Sequence, residues 1–341
     1  MAKDCGNCSR NKKNDSGSRN HKRNITVKDL PRMDIPNKDI SKPSPVMPIP
    51  TLETSGSLTD ELLLTGAVRD IQDKLQSTFL FDIKTNYPAI WDNNPYVFKN
   101  PTKSLGVYKI IPDITNSDFR HRATSYASSF NKLVRHKIEP SSLRGEIYLS
   151  KEEIDAVSFA KTAPFAQNFI SEKYWIISTG DVGYQWEIDR YQKVVDYFRE
   201  KITFVQVGKM GIKLNGVVDV IGKTNLRQLI NVMYHANGVL CHPSFLSHLA
   251  AAVPVKEGDK CPRACVVIGG GKYSQIYEHV PGQCFLSSVG LLYCCETGGC
   301  WKSECVNKTE KGIPKCLDMI RFDDIIREIE KFVRIYQPAL Y

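Results

Sequence analysis

The chain has 341 residues, 42% hydrophobic and 24% charged, a composition that supports packed cores and excludes a wholly disordered or fibrous protein. No apolar run approaches the roughly 18 residues needed to span a bilayer. The opening "MAKDCGNCSRNKKNDSGSRNHKR" lacks the apolar region of a secretory signal, and Ala2 breaks the myristoylation pattern, so the expected location is cytoplasmic.

The net charge of +9 gathers at one end. Residues 1–43 hold 11 Lys/Arg against 5 Asp/Glu among many Asn, Ser and Pro, so a disordered basic tail is expected. A solvated leader and an anchor making peripheral contact with an acidic membrane both remain open. With no aromatic residue in the tail there is no sign of base stacking, and no nucleic-acid partner is expected. Beyond the tail, "SPVMPIPTLE" reads as a first strand and "SGSLTDELLLTGAVRDIQDKLQ" as a loop running into a helix, with Leu63, Ala67, Val68, Ile71 and Leu75 at helical spacing. "TFLFDIKT" and "LGVYKII" read as strands, and a helix is expected around Ser125–Arg135. "GEIYLSKEEIDAVSFAKTA" predicts a strand and then a helix, with Ser150 and Glu153 forming a capping box.

The second half alternates more plainly. "KYWIISTG", "ITFVQVGK", "GVVDVIGKT", "GVLCH" and "ACVVIGGGK" read as strands. "DRYQKVVDYFREK", "NLRQLINVMYHA", Leu246–Val253 and "FDDIIREIEKFVRIY" read as helices, with Ser244 the cap of the third. Strands alternating with helices predict parallel sheets, and two such series predict two doubly wound α/β domains facing a cleft. The expected division is a tail over 1–43, a first domain over 44–168 and a second over 169–341, which includes a cysteine-rich insert over 294–316.

Ligands of open α/β sheets bind beyond the carboxyl ends of strands. Three motifs fall at such ends: "STGDVGYQW", "CHPSFLSHLAAA" and "GGGK". A helix N-terminus with free N–H groups suits phosphate, glycines let the backbone approach it, and Lys272 adds a charge. Together they point to a nucleotide or nucleotide-sugar site. Ser247 and His248 either face an anionic ligand or brace the turn from beneath. His121, His136, His235 and His279 read as surface or packing residues, and Arg120, His121 and Arg122 are weaker candidates for facing an acidic acceptor.

Eleven cysteines cluster, with Cys5 and Cys8 in the tail, Cys261 and Cys265 around a short loop, and five between Cys294 and Cys316. The spacing Cys295-x4-Cys300-x4-Cys305-x10-Cys316 offers four thiolates to a structural zinc or iron, with Cys294 spare. Reduced, unliganded thiols are the alternative.

The stretch "LNGVVDVIGKTNLRQLINVMYHANGVLCHPSFLSHLAAAV" resembles the donor-domain core of glycosyltransferase family 9, the ADP-heptose:lipopolysaccharide heptosyltransferases. Gly222, Thr224, Leu226 and Leu229 match one family motif, and Leu246, Ser247, His248, Leu249 and Ala250 match the next. "DELLLTGAVRDIQDKL" and "YPAIWDNNPYV" are similar to first-half segments of the family, and "CCETGGCWKSEC" to its cysteine-rich, iron-finger branch. The resemblance implies a GT-B arrangement of two Rossmann-like domains, and inverting transfer with no catalytic metal. It implies a general base at Glu61, with Asp60 adjacent. Donor contacts are expected from Thr179, Gly180, Gln185, Gly222, Thr224, Ser244, Leu246, Ser247, His248, Gly270 and Lys272. Two departures stand out. Pro243-Ser244-Phe245 replaces the family's Asp-Thr-Gly, and Gln185 stands near the usual lysine, for which Lys272 or Lys209 would substitute.

The expected function is transfer of a sugar, heptose from ADP-heptose, to a saccharide, lipid-linked sugar or protein acceptor. The alternative is a non-catalytic nucleotide-sugar-binding or assembly protein that uses the cysteine finger as an interface. A homo-oligomer is compatible with either reading.

Overall fold

Short apolar strands alternating with helices assemble two parallel sheets in this computed structural model, which describes residues 49–54, 56–75, 80–98, 104–110, 120–134, 137, 139–170, 173–180, 186–257 and 262–336. The basic tail, Cys5, Cys8, His136, Gln185 and Cys261 lie outside the described residues.

The first sheet contains β1 (Ile49–Thr54), β2 (Asp82–Lys84) and β3 (Ser104–Ile110), in the order β2-β1-β3. Helix α1 (Leu58–Leu75) links β1 to β2, and α2 (Arg122–Val134) follows β3. Leu63, Ala67, Val68 and Ile71 are buried as their spacing predicts, but so are Glu61, Leu62, Leu64, Thr65, Asp70 and Gln72. The reason is a second layer over the helix. A Cβ at Gly145 would lie 2.1 Å from the Leu62 carbonyl oxygen, so the 139–149 segment runs directly against the α1 backbone.

That contact explains one departure from expectation. "GEIYL" forms no strand. The Glu146 N–H donates to Thr65 Oγ1 at 2.7 Å and the Ile147 N–H to the Ala252 carbonyl at 3.1 Å, so its donors serve helices rather than a sheet. The next prediction holds: Ser150 and Glu153 close a capping box on α3 (Lys151–Asp155).

The second sheet contains β4 (Tyr174–Ile177), β5 (Thr203–Gln206), β6 (Val218–Asp219), β7 (Gly238–Cys241), β8 (Ala264–Gly270) and β9 (Cys284–Ser287). Its order is β6-β5-β4-β7-β8-β9, with every neighbouring pair parallel. All residues of β4, β5, β7 and β8 are buried, which is why they read as continuous apolar runs. The helices are α4 (Ile188–Tyr197), α5 (Leu226–His235), α6 (Phe245–Ala252), α7 (Gln275–Glu278), α8 (Lys315–Asp318) and α9 (Phe322–Tyr336). On α9 the predicted face buries Ile325, Ile326, Ile329 and Val333. The chain grows outward from β4 through β5 to β6, then restarts at β7 on the other side of β4. This is the doubly wound order, with its switch point between β4 and β7. Both sheets belong to one compact unit, Pro43–Tyr341. Among the described residues no helix is long and apolar enough to cross a membrane.

Replacing Gly145 by Ala forces a methyl group against the α1 backbone. The variant should lose about 1–3 kcal/mol, the usual range for overpacking. Urea unfolding should show a lower midpoint at unchanged slope, and an unmoved midpoint would contradict the close approach.

Candidate functional site

Three adjacent strands of the second sheet end where the sequence motifs begin. β4 leads into Ser178-Thr179-Gly180, β7 into His242-Pro243-Ser244, and β8 ends in Gly270 before Gly271-Lys272. Thr179 is buried, and Gly180 has a φ of +82°. A Cβ on Gly180 would lie 2.6 Å from the His242 ring, so both backbone sign and space require glycine there. Gly222 and Thr224 lie between β6 and α5, but the cap of α5 is the next residue, Asn225.

His242 had no role in the sequence reading, yet it braces this region. Its Nδ1 lies 3.0 Å from the Ile268 carbonyl oxygen, to which it donates. Its Nε2 then accepts from the Tyr191 hydroxyl at 2.6 Å and the Trp186 N–H at 3.3 Å. One neutral imidazole thereby ties β7 to β8 and α4.

Ser244 caps α6 as expected. Its hydroxyl accepts from the Leu246 N–H at 3.3 Å, and Ser247 Oγ accepts from the Ser244 N–H at 3.3 Å. Ser247 Oγ also donates to the Ser244 carbonyl at 2.7 Å, so its hydroxyl is occupied with the cap. Leu246, Ser247 and His248 are all buried. Lys272 is half-buried, its ammonium 5.3 Å from the Tyr273 ring centre, whereas Lys209 is exposed.

His248 leads to a chain of charges that crosses from the second sheet's layer to the first. Its Nε2 lies 2.7 Å from Glu278 Oε2 at the end of α7. Glu278 Oε1 accepts from Arg122 Nη1 at 3.2 Å. Arg122, at the start of α2, donates from Nε and Nη2 to Asp60 Oδ1 at 3.1 and 2.7 Å. Asp60 Oδ2 accepts from the Ser57 N–H and hydroxyl at the start of α1. Burial opposes ionisation of Asp60, but the Arg122 charge and the Ser57 hydrogen bonds outweigh it, and its carboxyl is held below the usual range. Burial likewise opposes a charged Glu278. The hydrogen bond and charge of His248, with the charge of Arg122, outweigh it and hold that carboxyl low too.

The remaining groups around Arg122 are polar and partly unserved. His121 caps α2 by accepting from the Ala123 N–H at 3.0 Å on Nδ1. Burial, followed by the nearby His248, lowers its pKa to about 4, so it is neutral at neutral pH. The structure brings His121 and Arg122 together in this polar cluster. Burial, with the Asp60 carboxylate beside it, holds the pKa of the Tyr126 hydroxyl well above the ordinary value. His248 Nδ1 is buried with no hydrogen-bond partner, and folded proteins leave few such atoms.

Glu61 sits elsewhere. It is wholly buried, and Trp91 Nε1 donates to its Oε1 at 2.5 Å. Ser57 starts the helix and turns residue 61 inward.

The cysteines do not gather as expected. Cys295 and Cys316 are buried behind Gly271, where a Cβ would lie 2.7 Å from Cys295 Sγ and 3.0 Å from Cys316 Cβ. Cys305 Sγ donates to the Asn307 carbonyl at 3.3 Å, and the Cys300 N–H donates to the Gly271 carbonyl at 3.0 Å. The described cysteines are free thiols. Among the described residues no three or more His, Cys, Asp or Glu form a group able to hold a metal ion. Of the expected set, the thiols of Cys295 and Cys316 are drawn into the core while Cys300 and Cys305 stay on a loop fastened by backbone bonds, so the four do not form one group in this structure. The segment contributes Trp301 instead. This residue holds a φ of +54°, and its ring lies 4.7 Å from Tyr277 and 5.2 Å from Tyr273. Arg122 lies 5.9 Å from the Tyr277 ring centre, so the insert touches the charge chain through an aromatic stack.

Residues 185–257, which include β5 to β7 and the α6 turn, match the family model of Glycosyltransferase family 9 (heptosyltransferase). Over those residues the chain is similar to that family. Its fold is the α/β GT-B type. A family 9 glycosyl transferase from Veillonella parvula DSM 2008 superimposes with a TM-score of 0.56 at 14% identity, over 84% of this chain and 99% of that one. The iron-containing dodecameric glycosyltransferase TibC from enterotoxigenic E. coli H10407 gives 0.57 at 18%, over 85% and 77%. The heptosyltransferase TibC in complex with ADP-D-beta-D-heptose gives 0.57 at 16%, over 84% and 78%. No curated protein matches the chain by sequence.

His121 makes stability depend on pH. The folded state refuses its proton down to about 4, whereas the unfolded state accepts it near 6.5, so stability falls as the pH drops through that window. Asp60 and Glu278, held low in the fold, add a further loss below the ordinary carboxylate range. His121→Asn keeps a capping acceptor and removes the upper loss. Urea midpoints at pH 7 and pH 5 should therefore lie closer together in the variant. An unchanged difference would contradict a buried neutral His121.

Proposed function

We propose that the protein is an inverting glycosyltransferase that moves heptose from ADP-heptose to a hydroxyl of a saccharide, lipid-linked sugar or protein acceptor. The observation carrying this reading is the meeting of two features. Three strand-end motifs converge at the switch point of a doubly wound sheet, and a buried polar chain runs from α6 to α1. The likeness to an ADP-heptose-bound heptosyltransferase supports the choice of donor. Residues 169–341 would take the donor and residues 44–168 the acceptor. The diphosphate would lie against Thr179, Gly180, the Ser244–Leu246 turn and Gly270, with Lys272 as counter-charge. Gly222 and Thr224 would border the nucleotide.

A sugar hydroxyl is a poor nucleophile at neutral pH, so an acceptor-side base is needed. It must reach the hydroxyl. Asp60 meets that need better than Glu61, because it is part-exposed and ionised, whereas Glu61 is enclosed with Trp91. In the proposed step Asp60 accepts the hydroxyl proton as the oxygen attacks the anomeric carbon, and the diphosphate departs from the opposite face with the bonding pair. Backbone N–H groups and Lys272 stabilise the charge that develops there.

Asp60→Asn should lower turnover about a hundredfold or more while ADP binding by calorimetry stays close to wild type. Glu61→Gln should cost stability more than turnover. The reverse pattern would return the base to Glu61. A second reading rests on a specific observation: both carboxylates are already engaged, one with Trp91 and one with Arg122 and Ser57. Under it the protein binds nucleotide sugar without transferring it. Calorimetry with ADP, UDP, GDP and ADP-heptose, followed by a product assay, separates the two. Selective ADP-heptose binding with product favours the transferase, and binding without product across acceptor classes favours the second reading.

A further inference from the structure

We infer that Glu278 is a positioning residue, a buried anion that sets the donor turn and the acceptor-side base relative to each other. The inference rests on the transferase reading above and deepens it. Glu278 closes α7, a helix too short and polar to stand out in the sequence. It is almost wholly buried, and its two oxygens face different layers. Oε2 is 2.7 Å from His248 on α6, behind the Ser244 turn, and Oε1 is 3.2 Å from Arg122 on α2. Arg122 in turn grips Asp60 through two nitrogens. One carboxylate therefore holds both the helix that follows the donor motif and the guanidinium that holds the candidate base.

The chemistry explains why the bridge is directional. An ionised carboxylate only accepts, so His248 presents N–H at Nε2 to it, and the ring orientation follows. Arg122 presents a planar fork, so fixing one edge on Glu278 and another on Asp60 fixes the side chain in space. A buried anion without partners is costly, which holds the three groups together once the layers meet. The segment after α7 adds a second tie to α6, since Gln283 Nε2 donates to the Ser247 carbonyl at 2.6 Å. Glu278 itself need touch neither donor nor acceptor. Its effect is to hold the groups that do.

Two measurements test this on the full chain. The first is a double-mutant cycle on unfolding, using Arg122→Gln and His248→Asn with Glu278 present and again with Glu278→Gln. The bridge predicts that the two changes are non-additive with Glu278, by about tenfold in the unfolding constant, and additive without it. Additivity in both backgrounds overturns the inference. The second uses ADP-heptose as donor probe, with turnover and KM recorded for wild type, Glu278→Gln and Glu278→Asp. A positioning role predicts that Glu278→Gln lowers kcat about ten- to a hundredfold with KM for the donor moving less than about threefold, the mark of an interaction used in the transition state. Glu278→Asp, which keeps the charge, should recover part of the loss. Equal losses in both variants, or a change confined to KM, overturn it. A wild-type protein that turns over ADP-heptose while Glu278→Gln matches it sinks this inference alone. A wild-type protein that neither binds nor turns over ADP-heptose sinks the transferase reading and the positioning role with it.

Discussion

A carboxylate buried between an arginine and a histidine is the constraint on which the site depends. Glu278 cannot lose its charge partners without a large desolvation cost, so His248 and Arg122 must converge on it. Arg122 carries the constraint onward to Asp60, and Ser57 passes it to the start of α1. Four elements, α1, α2, α6 and α7, are thereby registered by hydrogen bonds rather than by apolar packing alone. Apolar contacts tolerate small slips between layers, whereas charge-assisted bonds with fixed donor geometry do not.

The scaffold behind this chain is conventional in its physics. Parallel strands buried on both faces bring three motifs to one end of the sheet, at the switch between β4 and β7. His242 locks that end internally through Ile268, Tyr191 and Trp186. Gly180 yields the space its ring requires. The cysteine-rich insert meets the same region from outside, with Trp301 against Tyr273 and Tyr277. Arg122 lies over the Tyr277 ring, so the aromatic cluster and the charge chain form one continuous contact.

Periodicity and caps made most of the second half legible. Continuous apolar runs marked β4, β5, β7 and β8, and Ser244, Ser150 and the α9 face stand where expected. The failures have local causes. "GEIYL" has strand-like residues, but its donors are claimed by Thr65 and Ala252, partners far away in sequence. The burial of Glu61 was not legible because it depends on the Ser57–Asp60 capping pair and on Trp91, thirty residues away. Four cysteines in a short span suggested a metal, but spacing does not fix where thiols point, and two of them face the core. Glu278 carries no motif, and His242 lies inside one without standing out. Their roles arise from long-range pairing, which a single sequence does not encode in any local pattern. Arg122 and His121 could have been singled out by asking which polar residues open the helix that follows the first sheet.

A crystal structure of the protein with ADP is the most direct measurement. The account predicts the diphosphate at the Ser244–Leu246 turn, beyond the ends of β4, β7 and β8, with Arg122 still spanning Asp60 and Glu278 and with His248 on Glu278. A diphosphate bound away from that turn, or an Arg122 in contact with neither carboxylate, would contradict it.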